Sequence, residues 1–126
     1  RAAEQQVFIT AAGDLIIAPY EQDVWSHKQL LKVVSHTPVE TELFEKTRKA
    51  LGYEDTMRTQ VPIEDPLFTW WSYRARDWAT SNRGRRLDHV WTCPLWAGRA
   101  TAMQVYTDAR SWEKASDHVP VIMDYA

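Results

Sequence analysis

Ser116-Asp117-His118-Val119-Pro120-Val121 sets a carboxylate and an imidazole side by side, just ahead of the apolar run that closes the chain. Two other strings share this build. Gly13-Asp14-Leu15-Ile16-Ile17-Ala18-Pro19 follows the first apolar run, Val7-Phe8-Ile9-Thr10-Ala11-Ala12, and Arg85-Arg86-Leu87-Asp88-His89-Val90-Trp91 opens a later one. Runs rich in β-branched and aromatic residues, bounded by Gly, Pro, Asp or Ser, read as strands. The first predicts a buried strand that delivers Asp14 to its end. Asp14, Asp88 and Asp117 thus fall where strands meet loops, with His118 beside them. Hydrolysis of a phosphodiester needs an activated water, neutralisation of charge developing on phosphate, and help for the leaving oxygen. Carboxylates, an imidazole and a hard cation meet those needs.

Four further runs predict strands: Leu67 to Tyr73, Leu87 to Cys93, Ala100 to Thr107 and Val119 to Tyr125. Thr37-Pro38-Val39-Glu40 has the cap residue, the first-turn proline and the Glu of a capping box. Val39, Leu43, Phe44, Thr47 and Ala50 then follow helical spacing to Gly52, so a helix is predicted from about Pro38 to Leu51, with Glu40, Glu42 and Glu45 on its solvated face. The stretch after Pro19 reads as a long, locally ordered loop. Strands in this number with one or two helices make an α/β (α+β) arrangement, one mainly antiparallel sheet covered on one face. The other face then calls for a partner layer.

A chain of 126 residues with 44% apolar and 25% charged content suits a single domain with one core. No stretch approaches a membrane span, so no membrane partner is expected. Cys93 is the only cysteine, which rules out an internal disulfide and favours a reduced, cytoplasmic setting with a buried, inert thiol.

The net charge of -2 argues against a nonspecific nucleic-acid coat, but the charge is uneven. Arg74, Arg76, Arg83, Arg85 and Arg86 crowd into one stretch, interleaved with Trp70, Trp71, Tyr73 and Trp78. Arginines contact phosphates and aromatic faces stack on sugars and bases, so this stretch suits a DNA strand. A solvated arginine cluster beside a Trp-rich core is the alternative. Of the Trp70-Trp71 pair, alternation puts one inside, and Trp71 is assigned to the core. Trp25, Trp91, Trp96 and Trp112 read as packing. His27, His36 and His89 are scattered and read as structural or surface groups, and no Cys/His spacing suggests zinc.

In order along the chain, these strings and three others (Asp23-Val24-Trp25-Ser26-His27, Phe68-Thr69-Trp70-Trp71-Ser72-Tyr73-Arg74 and Asn82-Arg83-Gly84-Arg85-Arg86-Leu87-Asp88-His89) resemble the C-terminal half of the exonuclease III family of abasic-site endonucleases, within the endonuclease/exonuclease/phosphatase superfamily. The resemblance covers nearly the whole chain, residues 1–126. It implies a four-layer α/β sandwich of two packed sheets, one contributed mainly by each half. The N-terminal half, with the family's metal-binding Glu and active-site Tyr, is absent from this sequence. The chain begins at Arg1 with no Met and no targeting segment, as a fragment, a processed product or a trimmed piece would.

The resemblance implies roles for individual residues. Asp14 takes the position of the Asp that orients or deprotonates the attacking water. His118 takes that of the imidazole contacting the scissile phosphate or serving as base, Asp88 orients His118, and Asp117 is a metal ligand, directly or through water, with Asp14 and His118 also assigned to the metal. Asp88 and Asp117 have a turn-capping alternative. Mg2+, with Mn2+ as a substitute, is the implied cofactor. Trp70, and Leu87 with Arg85, match positions that line a pocket for a flipped-out abasic sugar, and Arg74 is assigned to DNA binding beside them.

One position departs from the pattern. Where the family reads Gly-Asp-Leu-Asn or Gly-Asp-Phe-Asn, this chain has Ile16, and an amide donor is lost. Three functions follow: a Mg2+-dependent DNA-repair nuclease present as its C-terminal half, a nuclease-dead DNA-binding or assembly module, and a phosphoinositide-type phosphatase. The expected partners are double-stranded DNA with abasic sites or 3′ ends, and either a complementary N-terminal half or a second copy meeting an exposed sheet face. Use on nucleoid DNA of a bacterial type is the expected setting.

Overall fold

Antiparallel pairing governs every ladder of the computed structural model, which describes residues 7–126. Strands β1 (Thr10–Asp14), β2 (Glu54–Asp55) and β3 (Asp88–Thr92) form a three-stranded sheet in the order β1-β3-β2. β4 (Ala100–Val105) and β5 (Val121–Tyr125) form a second, two-stranded ladder. Helix α1 spans His27–Leu30 and α2 spans Pro38–Leu51. Mixed helix and antiparallel sheet is the architecture that the run pattern implies. The pairing falls into two ladders because the segment from Leu67 to Tyr73 does not extend either of them. Trp70 makes single bridges to Arg85 and to His118, so its backbone bonds are divided between two loops. Thr69 and Trp70 donate to the Arg85 carbonyl, and Trp71 donates to that of Asp117.

α2 has the predicted ends. Thr37 and Glu40 close the capping box, and Gly52 caps the C-terminus at φ 72°, a left-handed conformation that costs glycine little. Its inward face differs from the expected one. Val39 is 67% exposed and Leu43 58%, whereas Phe44 packs on the rings of His89 and Trp91. Glu45 is not solvated: it accepts from the Tyr20 hydroxyl and is paired with Arg48, while Arg48 also donates to the Tyr53 carbonyl. This network, anchored at both ends to the body of the protein, sets the helix rotation against the apolar stripe.

β1 begins at Thr10 rather than Val7 and is exposed along its length, because it pairs with β3 on one edge and nothing among the described residues covers its face. The stretch after Pro19 is ordered. It carries a 3-10 turn at Glu21–Asp23 and helix α1, and buries Asp23, Val24 and Leu30, the last two against Ala18. The cause is charge. Arg86 Nε and Nη2 donate to the two oxygens of Asp23, both at 2.9 Å, and Nη1 and Nη2 donate to Asp55, also at 2.9 Å. Arg58 adds a bond to Asp23 at 2.6 Å. Arg86 is therefore an internal tie and is withdrawn from the basic surface. Burial alone would raise the Asp55 pKa, but Arg86 lowers it below the usual carboxylate range.

The core falls into three groups of side chains. Leu87 packs with Ala18, Val24 and Leu30. Met57, Leu67 and Val90 form a second group beneath the β4–β5 ladder. Trp71, Ala109 and Val119 form a third. Cys93 is a free, buried thiol. No helix among the described residues is long and apolar enough to cross a membrane.

Candidate active site

The register of β1 on β3 places Asp14 directly opposite Asp88. Two carboxylates on facing strand positions repel one another unless something positive stands between them. His118 does so, from the loop ahead of β5: its Nδ1 lies 2.8 Å from Asp88 Oδ2 and its Nε2 3.4 Å from Asp14 Oδ2. The three groups bring their ligand atoms within 4.8 Å of one another. Burial opposes charge on the His118 ring, but the hydrogen bond to Asp88 and the charges of Asp88, Asp14 and Asp117 outweigh it. The His118 pKa is raised.

The surrounding backbone fixes each member. Thr69 Oγ1 accepts from the N–H groups of both Leu87 and Asp88 at 3.1 Å, which locks the start of β3, and the Thr69 carbonyl accepts from Val119. Thr69 had no sequence signal beyond its place between aromatics. His89 is buried, and its ring donates to the Ile17 carbonyl at 2.6 Å, holding the loop that follows Asp14. Burial, helped by the charge of Arg86, pushes the His89 pKa down to about 4.

Asp117 stands outside the three-residue group. Its Oδ2 accepts from the Trp70 indole N–H at 2.9 Å, so a pocket-wall tryptophan holds the acid beside His118. His118 has both ring nitrogens facing carboxylates, which suits an imidazolium, and the same three groups are placed so that they could hold a metal ion. Three carboxylates around one imidazole leave an excess of negative oxygen, the donor set of a hard divalent cation, so the residues present fit Mg2+.

Ile16 closes the turn after Asp14. Its N–H donates to Asp14 Oδ1 at 3.0 Å, its φ is 58°, and its side chain is mostly exposed. A β-branched residue is rare in this left-handed region, where Asn is comparatively frequent.

Trp70, which holds Asp117, is also a wall of a cavity of about 520 Å3 lined by Trp25, Arg74, Arg83 and Arg85 among others. Arg83 stacks on Trp25 at 4.6 Å and Arg85 on Trp70 at 5.2 Å. Trp25 is thus a cavity wall and not packing alone, whereas Trp71 is buried with its indole N–H donating to Asn82. Leu87 does not line this cavity. It is 8% exposed and belongs to the core, because the residue after buried Arg86 turns toward Ala18 and Val24. Gly84 lets Phe68 approach so closely that a Cβ would lie 2.6 Å from its ring.

Mixed helix and antiparallel sheet of this kind matches the α/β fold of the endonuclease/exonuclease/phosphatase class. No family model matches the chain. Exodeoxyribonuclease III of Haemophilus influenzae is 29% identical over 123 residues, 93% of this chain and 45% of that protein. An AP endonuclease from Archaeoglobus fulgidus superposes with a TM-score of 0.88 at 27% identity, covering 95% of this chain and 46% of its own. A 3′ phosphatase from Neisseria, solved with a product DNA hairpin, gives 0.86 at 27% identity, covering 94% and 45%. Sequence and fold together relate the chain to the exonuclease III family, over the C-terminal part of its relatives. It spans just under half their length.

Proposed function

We propose that the chain is the C-terminal half of a Mg2+-dependent DNA-repair nuclease that hydrolyses phosphodiesters at abasic sites and 3′ ends of duplex DNA, and that it is inactive without a complementary half. The carrying observation is the Asp14–His118–Asp88 array, built by strand register and joined through Trp70, which bridges to His118, to an arginine- and tryptophan-lined cavity. Asp14 orients and deprotonates the attacking water. Asp88 fixes the tautomer of His118 and supports its charge, as an acid does for a catalytic imidazole. His118, carrying its proton, faces the scissile phosphate. Asp14 and Asp117 would hold Mg2+, or Mn2+ in its place, which supplies charge neutralisation for the phosphate. Trp25 and Trp70 wall the slot for an extruded baseless sugar, and Arg74, Arg83 and Arg85 meet phosphates.

A DNA-bound Neisseria relative supports DNA over a lipid phosphate as the substrate. The exposed β1, Phe8 and Ile122 offer a surface for the complementary half or, without it, for a second copy. The setting is cytoplasmic.

Ile16 favours a second reading, a nuclease-dead DNA-binding or assembly module. Loss of one preorganised donor typically costs about 10²- to 10³-fold in rate. The test is Mg2+-dependent incision of a duplex with one abasic site, by the chain with and without a separately made N-terminal half, with Asp117→Ala as control. Incision that is lost in the control supports the nuclease. No incision until Ile16→Asn is introduced places the defect at the missing amide, and binding without incision in every case leaves the module.

A further inference from the structure

The fold brings together two histidines that are nine residues apart in sequence. His27, at the start of α1, and His36, in the turn before α2, face each other with His27 Nδ1 2.8 Å from His36 Nε2. Their rings stand nearly perpendicular, at 83°. The outer nitrogens are both engaged. His36 Nδ1 lies 2.7 Å from the Ala18 carbonyl, which can only accept, so it carries the proton and a neutral His36 presents a lone pair at Nε2. His27 Nε2 faces the Glu21 carboxylate at 3.5 Å. In the tautomer that places the His27 proton on Nε2, toward Glu21, Nδ1 presents a lone pair as well.

We propose that His27 and His36 form a binding site for a borderline transition-metal ion of the Zn2+ class, separate from the Asp14–Asp88–His118 group. In that tautomer the two lone pairs face each other across the gap and a cation between them satisfies both, whereas in the other tautomer His27 Nδ1–H donates to His36 Nε2. An acceptor on the far nitrogen of each ring is also the outer-shell arrangement that orients metal-binding histidines. Nitrogens bound tetrahedrally to Zn2+ at about 2.0–2.1 Å stand about 3.3 Å apart, so the rings need to part by only about 0.5 Å. Both rings line a cavity of about 830 Å3 that also carries Glu42, with room for water to complete the coordination. His36 is 2% exposed and preplaced, and imidazole nitrogen selects Zn2+, Cu2+ or Ni2+ over Mg2+. The ion would clip α1 to the turn before α2, and His27 lies two residues beyond Trp25, a wall of the arginine-lined cavity.

Calorimetric titration of the whole chain with Zn2+ tests this, in a His118→Ala background that silences the strand-end group. One Zn2+ per chain is expected in the micromolar range, weakened at least about tenfold by His27→Ala, which alters a partly exposed side chain, with Mg2+ giving no comparable heat. Co2+ should give a visible absorption band that His27→Ala removes. No Zn2+ binding in the His118→Ala chain, or binding unchanged by His27→Ala, overturns the site and leaves a proton shared between the two rings.

Discussion

The protein has two arrays of acid and base built from similar parts, and they are opposite in character. Asp23 and Asp55 meet Arg58 and Arg86 in a buried cluster with charges matched two against two. Asp14 and Asp88 meet a single imidazole at an open strand end, with the charge of Asp117 acting on it from outside the group. A balanced buried cluster holds segments together, and removing one member strands a charge away from water. An unbalanced, accessible cluster has capacity left for a cation and a phosphate. The contrast shows that charge balance and access, more than residue type, separate the structural array from the reactive one.

The largest effect that would break this contrast is on stability. Asp23→Ala should cost about 3–5 kcal/mol in urea unfolding, since it leaves Arg58 and Arg86 with Asp55 as the one remaining carboxylate of the cluster, while Asp14→Ala should change stability little and abolish any metal-dependent incision. Equal losses in the two variants would sink the distinction.

Acid should act next. His89 is held neutral in the fold with a pKa near 4, so the unfolded chain binds the extra proton. Stability is then full above the ordinary histidine range and falls as pH drops toward 4, by roughly 3 kcal/mol. Unfolding followed against pH should show this slope, and His89→Gln should flatten it.

Ile16→Asn relieves a left-handed backbone at an exposed position and should stabilise by about 1 kcal/mol, seen as a higher unfolding midpoint. A destabilised Ile16→Asn chain would mean that Ile16 has a packing role.

The smallest effect sharpens the open array. The raised His118 pKa means that its stabilising contribution is present at low pH and is lost as pH rises through the folded value. Asp88→Asn should bring the His118 titration, read by NMR, back toward the ordinary range. It should also lower turnover more than it lowers stability.

Much of this was written locally. The Thr37–Glu40 capping box and Gly52 bounded α2, and the apolar runs placed Asp14, Asp88 and His118 at strand ends, because caps and strand periodicity depend on near neighbours. Neighbouring arginines diverged because Arg86 found Asp23, 63 residues away, whereas Arg85 stayed over Trp70 at the cavity. The rotation of α2, the burial of Leu87 and the meeting of His27 with His36 likewise depended on groups that no local pattern pairs. Side-chain type and spacing determined which elements form and where the acids sit. Only the tertiary structure decided which charges are neutralised, because pairing and burial are set by contacts distant along the chain.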